Sequence, residues 1–234
     1  ALRRHSPMDI LYQILMPFLT EDSLDVALAK TAKARRRQLI EVARRRFLED
    51  GYAHTSVSAI VKEAGVAQGT FYLYFPSKEA VLITLRGEVL KDYLGALTKG
   101  ASGAGPADER LVKGLAEIYR SVRRHRALVT VFRQATSGDE MEKIWLEGRE
   151  ALAAPLAELV EEGVRSGCFD VVDHRLAAHF ILAMFADILY EAIVFRKPAT
   201  GKKTLAFGSQ FMLRALGVDA QRSAQLLQDG NKTQ

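Results

Sequence analysis

The chain has 234 residues, 48% of them hydrophobic and 26% charged, an ordinary balance for a soluble globular protein with room for one large core or two smaller ones. One cysteine, Cys168, excludes an intrachain disulfide and suits a reducing cytoplasm. The formal net charge of +5 sits in one place: from Lys30 to Ala80 there are ten basic and five acidic residues, and the remainder is neutral. Such a segment is the electrostatic footprint of a nucleic-acid module on a neutral body, although charge alone leaves a solvated basic helix face open.

Helical periodicity runs throughout, and no alternating run bounded by turns suggests a sheet. The all-α reading begins with an extension, Ser6 to about Leu28. Its stripe of Met8, Leu11, Ile14, Leu15, Phe18 and Leu19 is broken by Pro17. Arg3-Arg4 precede this run, but no small-residue cleavage site follows Phe18-Leu19, so no secretory signal is expected. Asp9, Glu21, Asp22 and Asp25, with no lysine before Lys30, argue for docking on protein rather than on an anionic membrane.

From about Ala34 a helix buries Leu39, Ile40, Ala43 and Phe47 and closes at Gly51. Thr55 or Ser56 caps a short helix carrying Val57, Ile60, Val61 and Ala64, and Gly65 permits a sharp turn. A third short helix covers Ala67 to Tyr74. Pro76 stops it, and Ser77 caps a helix running towards Thr98. Gly100 to Pro106 reads as a linker. Further helices are expected near Asp108–His125, Arg126–Ser137, Asp139–Ser166, Asp173–Arg196 and Lys203–Leu216, with a loose polar tail from Ala220. The apolar stretch from Phe180 to Phe195 contains Asp187 and Glu191, so it reads as a buried helix rather than a membrane span.

Two short helices joined by a glycine turn make a helix-turn-helix. At about 100° per residue Phe71 and Phe75 face inward together, towards Val57, Ile60 and Phe47. The opposite side shows Gly69, Thr70 and Leu73, flanked by Gln68, Tyr72 and Tyr74. Gln68 suits adenine, Thr70 a base edge or phosphate, and Leu73 a thymine methyl. Tyr72 and Tyr74 reach phosphates, or else pack half-buried. Arg35, Arg36 and Arg37 could enter a minor groove, touch phosphates or stay solvated; proximity to the motif favours phosphates.

Gly51-Tyr52-Ala-His-Thr55-Ser56-Val57, Ala64-Gly65-Val66-Ala67-Gln68-Gly69-Thr70-Phe71-Tyr72 and Tyr74-Phe75-Pro76-Ser77-Lys78-Glu79 together resemble the DNA-binding domain of the TetR family. Val61 is bulkier than the alanine usual there, and the likeness fades beyond Thr98. The resemblance implies that Lys78 grips the phosphate backbone, and adds Thr55 and Ser56 to the DNA-binding set. It implies a dimer of operator-binding repressors whose last two helices per subunit form a four-helix bundle. The layout is then an extension (1–29), a DNA-binding domain (30–82), an effector and dimerisation domain (83–219) and a tail (220–234).

Apolar faces independently suit such a bundle: Phe180, Met184, Ile188, Ile193 and Phe195 on one helix, and Leu205, Phe211, Met212 and Leu216 on the last. Tyr119, Phe132, Met141, Trp145, Met184 and Phe185 are candidates to line an effector cavity, each also readable as plain core. No charge cluster accompanies them, which favours an apolar or aromatic effector such as an acyl chain. Asp187 and Glu191 share a face and suit a dimer seam or a polar point in a pocket better than chemistry. The five histidines show no paired metal spacing, and no nucleophile elbow or dinucleotide fingerprint is present. No cofactor and no metal are expected. The reading is a ligand-responsive repressor, against a constitutive architectural protein or an enzyme using the C-terminal domain.

Overall fold

The structure, a computed structural model, describes the backbone of residues 21–135, 139–195 and 198–232. Among the described residues every regular element is a helix: α1 (Glu21–Glu49), α2 (Val57–Ala64), α3 (Gln68–Tyr74), α4 (Lys78–Ala101) and α5 (Ala107–Arg124) come first. They are followed by α6 (Arg126–Gln134), α7 (Asp139–Arg165), α8 (His174–Tyr190), a π turn (Glu191–Phe195), α9 (Pro198–Ala215) and α10 (Ala220–Lys232).

Two cores organise them. The head core joins Leu39, Ala43 and Phe47 of α1, Ile60 of α2 and Phe71 of α3 to Val81, Leu82 and Leu85 of α4. The body core collects Leu111 and Ile118 of α5, Leu156 and Val160 of α7, Ile181 and Phe185 of α8, and Met212 and Leu216 of α9. α4 belongs to both: its first half seals the head, Leu97 enters the body, and Tyr93 packs against each. α4 is thus the element that the head and the body share.

Several expectations are corrected. The helix expected from about Ala34 already runs from Glu21 among the described residues, so the boundary after residue 29 falls inside a continuous helix. No glycine or proline interrupts Glu21–Glu49, and nothing local stops the turn from propagating. The stripe from Met8 to Leu19 lies outside the described residues. Gly100, read as the start of a linker, is helical. A Cβ there would lie 2.6 Å from the Lys113 carbonyl oxygen, so glycine allows α4 and α5 to touch backbone to backbone. The connection itself is only Ser102–Pro106.

The stretch from Ala220, read as a loose tail, is helix α10. Asp219 accepts from the Arg222 N–H at 2.9 Å, Ser223 and Leu226 are buried, and the Arg222 guanidinium donates to Asp108 at 2.7 Å and to Glu109 at 2.9 Å. A polar composition concealed one buried side and a clamp to a helix more than a hundred residues away. α8, expected to run unbroken to Arg196, changes to a π turn at Glu191, whose N–H is shared by the carbonyls of Asp187 and Ile188.

Candidate nucleic-acid interface

The short helix α3 is held from behind. Phe71 and Phe75 are buried, with ring centroids 5.8 Å apart, in the same core as Phe47 and Ile60. α2 is fixed at its start by Ser56, whose hydroxyl accepts from the Ala59 N–H at 3.1 Å. It ends at Gly65 in the left-handed region (φ 64°), where a side chain would be strained. Ser77 caps α4 in the same way through the Ala80 N–H at 3.2 Å. What α3 leaves outward is Gln68, Gly69, Tyr72 and Leu73, the last 81% exposed. Thr70 and Tyr74 are half-buried at the flanks, and Tyr74 packs against the head core.

The basic residues divide into two groups. Arg45 and Arg46 both bind the Glu63 carboxylate of α2, and Arg46 also reaches Asp50 at 3.1 Å. The hydrogen bonds from Arg45, then those from Arg46, hold the Glu63 carboxyl below the usual carboxylate range. Arg44 lies 3.9 Å from both Glu41 and Glu88. These three arginines are committed within the head, whereas Arg35, Arg36 and Arg37 are exposed. Arg35 donates to Gln38 at 2.8 Å, and Gln38 donates to the Ala64 carbonyl at 3.0 Å. Arg36 stacks 4.9 Å from the Phe75 ring centroid, while Arg37 remains open. Sequence reasoning missed Gln38; its one signal was a position at the edge of the apolar stripe of α1.

Two expected DNA contacts are used differently here. The Thr55 hydroxyl is buried and donates to backbone carbonyls, that of Gly51 at 2.8 Å among them, so this side chain closes the α1–α2 turn instead of facing outward. The Lys78 ammonium donates to the carbonyls of Tyr52 at 2.7 Å and Thr55 at 2.8 Å, and lies 4.2 Å from the Tyr52 ring centroid. Burial pushes its pKa down. Two of its three donors hold the loop, leaving one for a phosphate. Ser56 stays exposed beside Ser58, with the two hydroxyl oxygens 2.8 Å apart.

In the body the effector candidates separate. Tyr119 and Met184 pack half-buried against the body core, and Phe185 is inside it. Phe132 belongs instead to the head core, with Leu128 and Val131, because α6 turns that face towards α1. The side chains of Met141 and Trp145 lie outside the described residues. An open cleft of about 470 Å³ between α4, α5 and α7 is bordered by charged Arg110, Glu158, Glu162 and Arg165, and holds none of the candidates.

The expected dimer faces are also divided. Phe180 (60% exposed) and Phe211 (57%) stand outward, together with Leu176 and Phe207, which the sequence reading did not single out. Ile188 and Leu205 are half-buried, and Ile188 crowds Gly208 of α9. Met212 and Leu216 are corrected: both are buried in the body core and have no surface to offer a partner. The side chain of Phe195 lies outside the described residues. Asp187 is exposed on the Phe180 side of α8, and Glu191 is half-buried at the π turn. The inward face of α8, including Ala178, Ile181, Leu182 and Leu189, is committed to the core although the helix is long and apolar enough to span a membrane. His179 approaches Glu150 at 3.3 Å, and no group of three metal-ligating side chains occurs among the described residues.

The family model described as bacterial regulatory proteins of the tetR family matches residues 39–85, and the tetracyclin repressor-like C-terminal domain matches residues 104–190. The likeness therefore continues well past Thr98. A fatty acid metabolism regulator protein of Bacillus subtilis is 31% identical over 147 residues, covering 62% of this chain and 76% of that protein. Among solved structures, a putative TetR-family transcriptional regulator from Syntrophomonas wolfei aligns with a TM-score of 0.65 at 24% identity, over 77% of this chain and 96% of its own. The fatty acid degradation regulator FadR from Bacillus halodurans aligns at 0.63 and 27% identity, over 76% and 94%. With a helix-turn-helix head whose α3 is braced from within and bare on its outer face, the chain belongs to the TetR family and is a DNA-binding transcriptional regulator.

Proposed function

We propose that the protein is a homodimeric cytoplasmic repressor released from its operator by a lipophilic effector. The observation that carries the DNA side is the outer face of α3. A helix of seven residues exposes Leu73 and Tyr72 on a rigid aromatic base, with Leu73 left outside the head core. Inserted in a major groove, Gln68 and Leu73 read base edges while Gly69 lets the backbone come close. Ser56, Thr70, Tyr72 and Tyr74 take phosphates, and Lys78 adds one with its remaining donor. Thr55 acts through the turn it closes.

Dimerisation through the outward apolar residues of α8 and α9 would set two heads about 34–36 Å apart, or a multiple of this. The similarity to proteins named as regulators of fatty acid metabolism and degradation supports an acyl effector, in keeping with the apolar and aromatic candidates Tyr119, Met184 and Phe185. α6 is the natural relay. Leu128, Val131 and Phe132 sit in the head core, while Arg133 stacks 3.7 Å from the Tyr190 ring centroid at the end of α8. An effector that moves α6 relative to α8 needs a coupling of about 1–3 kcal/mol to release the operator.

The test pairs Gln68→Ala with a fluorescently labelled duplex enriched by the protein from a random library. Affinity should fall by about 1–3 kcal/mol on that duplex and hardly change on a scrambled one. Equal losses on both would remove base reading from Gln68. For the effector, native mass spectrometry of freshly purified protein should reveal an acyl compound that weakens the duplex complex. A charged, non-lipid metabolite acting in its place would overturn the ligand class.

A further inference from the structure

Within the basic window from Lys30 to Ala80, much of the positive charge is paired inside the head and the rest is not spread evenly. Arg44, Arg45 and Arg46 face Glu41, Glu88, Glu63 and Asp50. Besides Lys62 of α2, the uncommitted cations of the head lie further out, on the part of α1 that precedes Leu39, the first buried residue among those whose side chains are described. Residues 29–38 are all exposed, and Lys30, Lys33 and Arg37 make no ion pair among the described residues. Their spacing of i, i+3 and i+7 puts them on one stripe within about 60° of the helix circumference.

The root of this projecting helix is pinned at a telling place. Gln38 donates to the carbonyl of Ala64, at the turn that launches α3, and Arg36 lies over Phe75 at the end of α3 and 3.4 Å from the Thr84 hydroxyl. The helix thus leaves the head next to the element that enters the groove. At about 1.5 Å per residue Lys30 stands about 12 Å beyond Gln38, roughly the length of three to four base pairs. Before Lys30 the sequence turns acidic, with Glu21, Asp22 and Asp25 and no lysine or arginine between them and Lys30.

Resting on the DNA-binding reading above, we infer that the N-terminal part of α1 is a clamp for DNA flanking the sequence read by α3, with Lys30, Lys33 and Arg37 holding backbone phosphates there. The contact is to phosphate rather than to bases, so it lengthens the footprint without adding sequence preference.

The test uses the full chain carrying Lys30→Ala, Lys33→Ala and Arg37→Ala together, and a duplex enriched by the wild-type protein from a random library. The duplex is used with flanks of about one helical turn (~10 base pairs) on each side, and also trimmed to the enriched core. On the long duplex the triple variant should show a salt dependence of log K shallower by about 2.7 per arm engaged, at about 0.9 for each phosphate lost. On the trimmed duplex the two proteins should agree. Thermal melting should be unchanged, because all three side chains are exposed.

Identical slopes on the long duplex would overturn the clamp, as would a triple variant that no longer prefers the enriched core over a scrambled one. A lowered melting temperature or dimer affinity with unchanged slopes would seat the helix on protein instead. Gln68→Ala separates the two readings: it should weaken the preference for the core, losing it at one position of each half-site, and leave the flank effect intact. If the chain enriches no duplex at all, both readings fall.

Discussion

Phe211 offers a quantitative test of how the subunits meet. It stands 57% exposed on α9 beside Phe207, while its neighbour Met212 is buried. For an aromatic side chain of about 200 Å², that exposure leaves about 110 Å² for a partner, about 3 kcal/mol of burial at 25 cal/mol per Å². Phe211→Ala removes about 2 kcal/mol of this from each copy, and a twofold interface counts it twice. The dimer dissociation constant should then rise about a thousandfold, since each 1.4 kcal/mol is a factor of ten. Sedimentation velocity over a dilution series measures that constant, and far-ultraviolet circular dichroism should stay unchanged because the ring lies outside the core. Met212→Ala is the contrast: a lower melting temperature, with association altered little. A Phe211→Ala constant within threefold of wild type, or dissociation caused by Met212→Ala instead, would refute the assignment of this face.

Two further outcomes follow from the ion pairs. Glu63, bound by Arg45 and Arg46, has its folded-state pKa below its unfolded value. Its contribution is therefore present above the unfolded pKa, about 4.3, and is lost as pH falls through the lowered value, so Glu63→Gln should flatten the acid limb of thermal stability. An unchanged limb would show that the pair contributes nothing. Arg222→Ala should leave the buried Asp108 carboxylate without its main partner and lower stability by about 2 kcal/mol in urea titration, discounted because Arg222 is partly exposed. Increased proteolysis confined to α10 should accompany it, and a fully protected α10 would contradict the clamp.

The sequence carried most of the head because its signals are local. Gly51, Gly65, Ser56 and Ser77 act on the turns in which they stand, and the inward pairing of Phe71 with Phe75 follows from helical periodicity. What it did not carry depends on distant partners. Nothing near Thr55 or Lys78 announces that their polar groups bind carbonyls of the loop after α1. Met212 and Leu216 share an apolar helix with Phe207 and Phe211, and only the packing of α9 on the body decides which face is left over. α10 looked loose because its ion-pair partners lie on α5. Phe132 reads as an effector candidate because sequence position cannot tell that α6 leans on the head.

The central claim is that a pair of α3 helices, held by one dimer, reads DNA. Enrichment of duplexes from a random library by the full chain, followed by sequencing, tests it most directly. The predicted result is an inverted repeat with half-site centres one helical turn apart, about 10–10.5 base pairs, or a multiple of it, whose preference is lost at one position of each half-site in Gln68→Ala. Enrichment of single, unpaired half-sites, or no enrichment over the starting library, would contradict it.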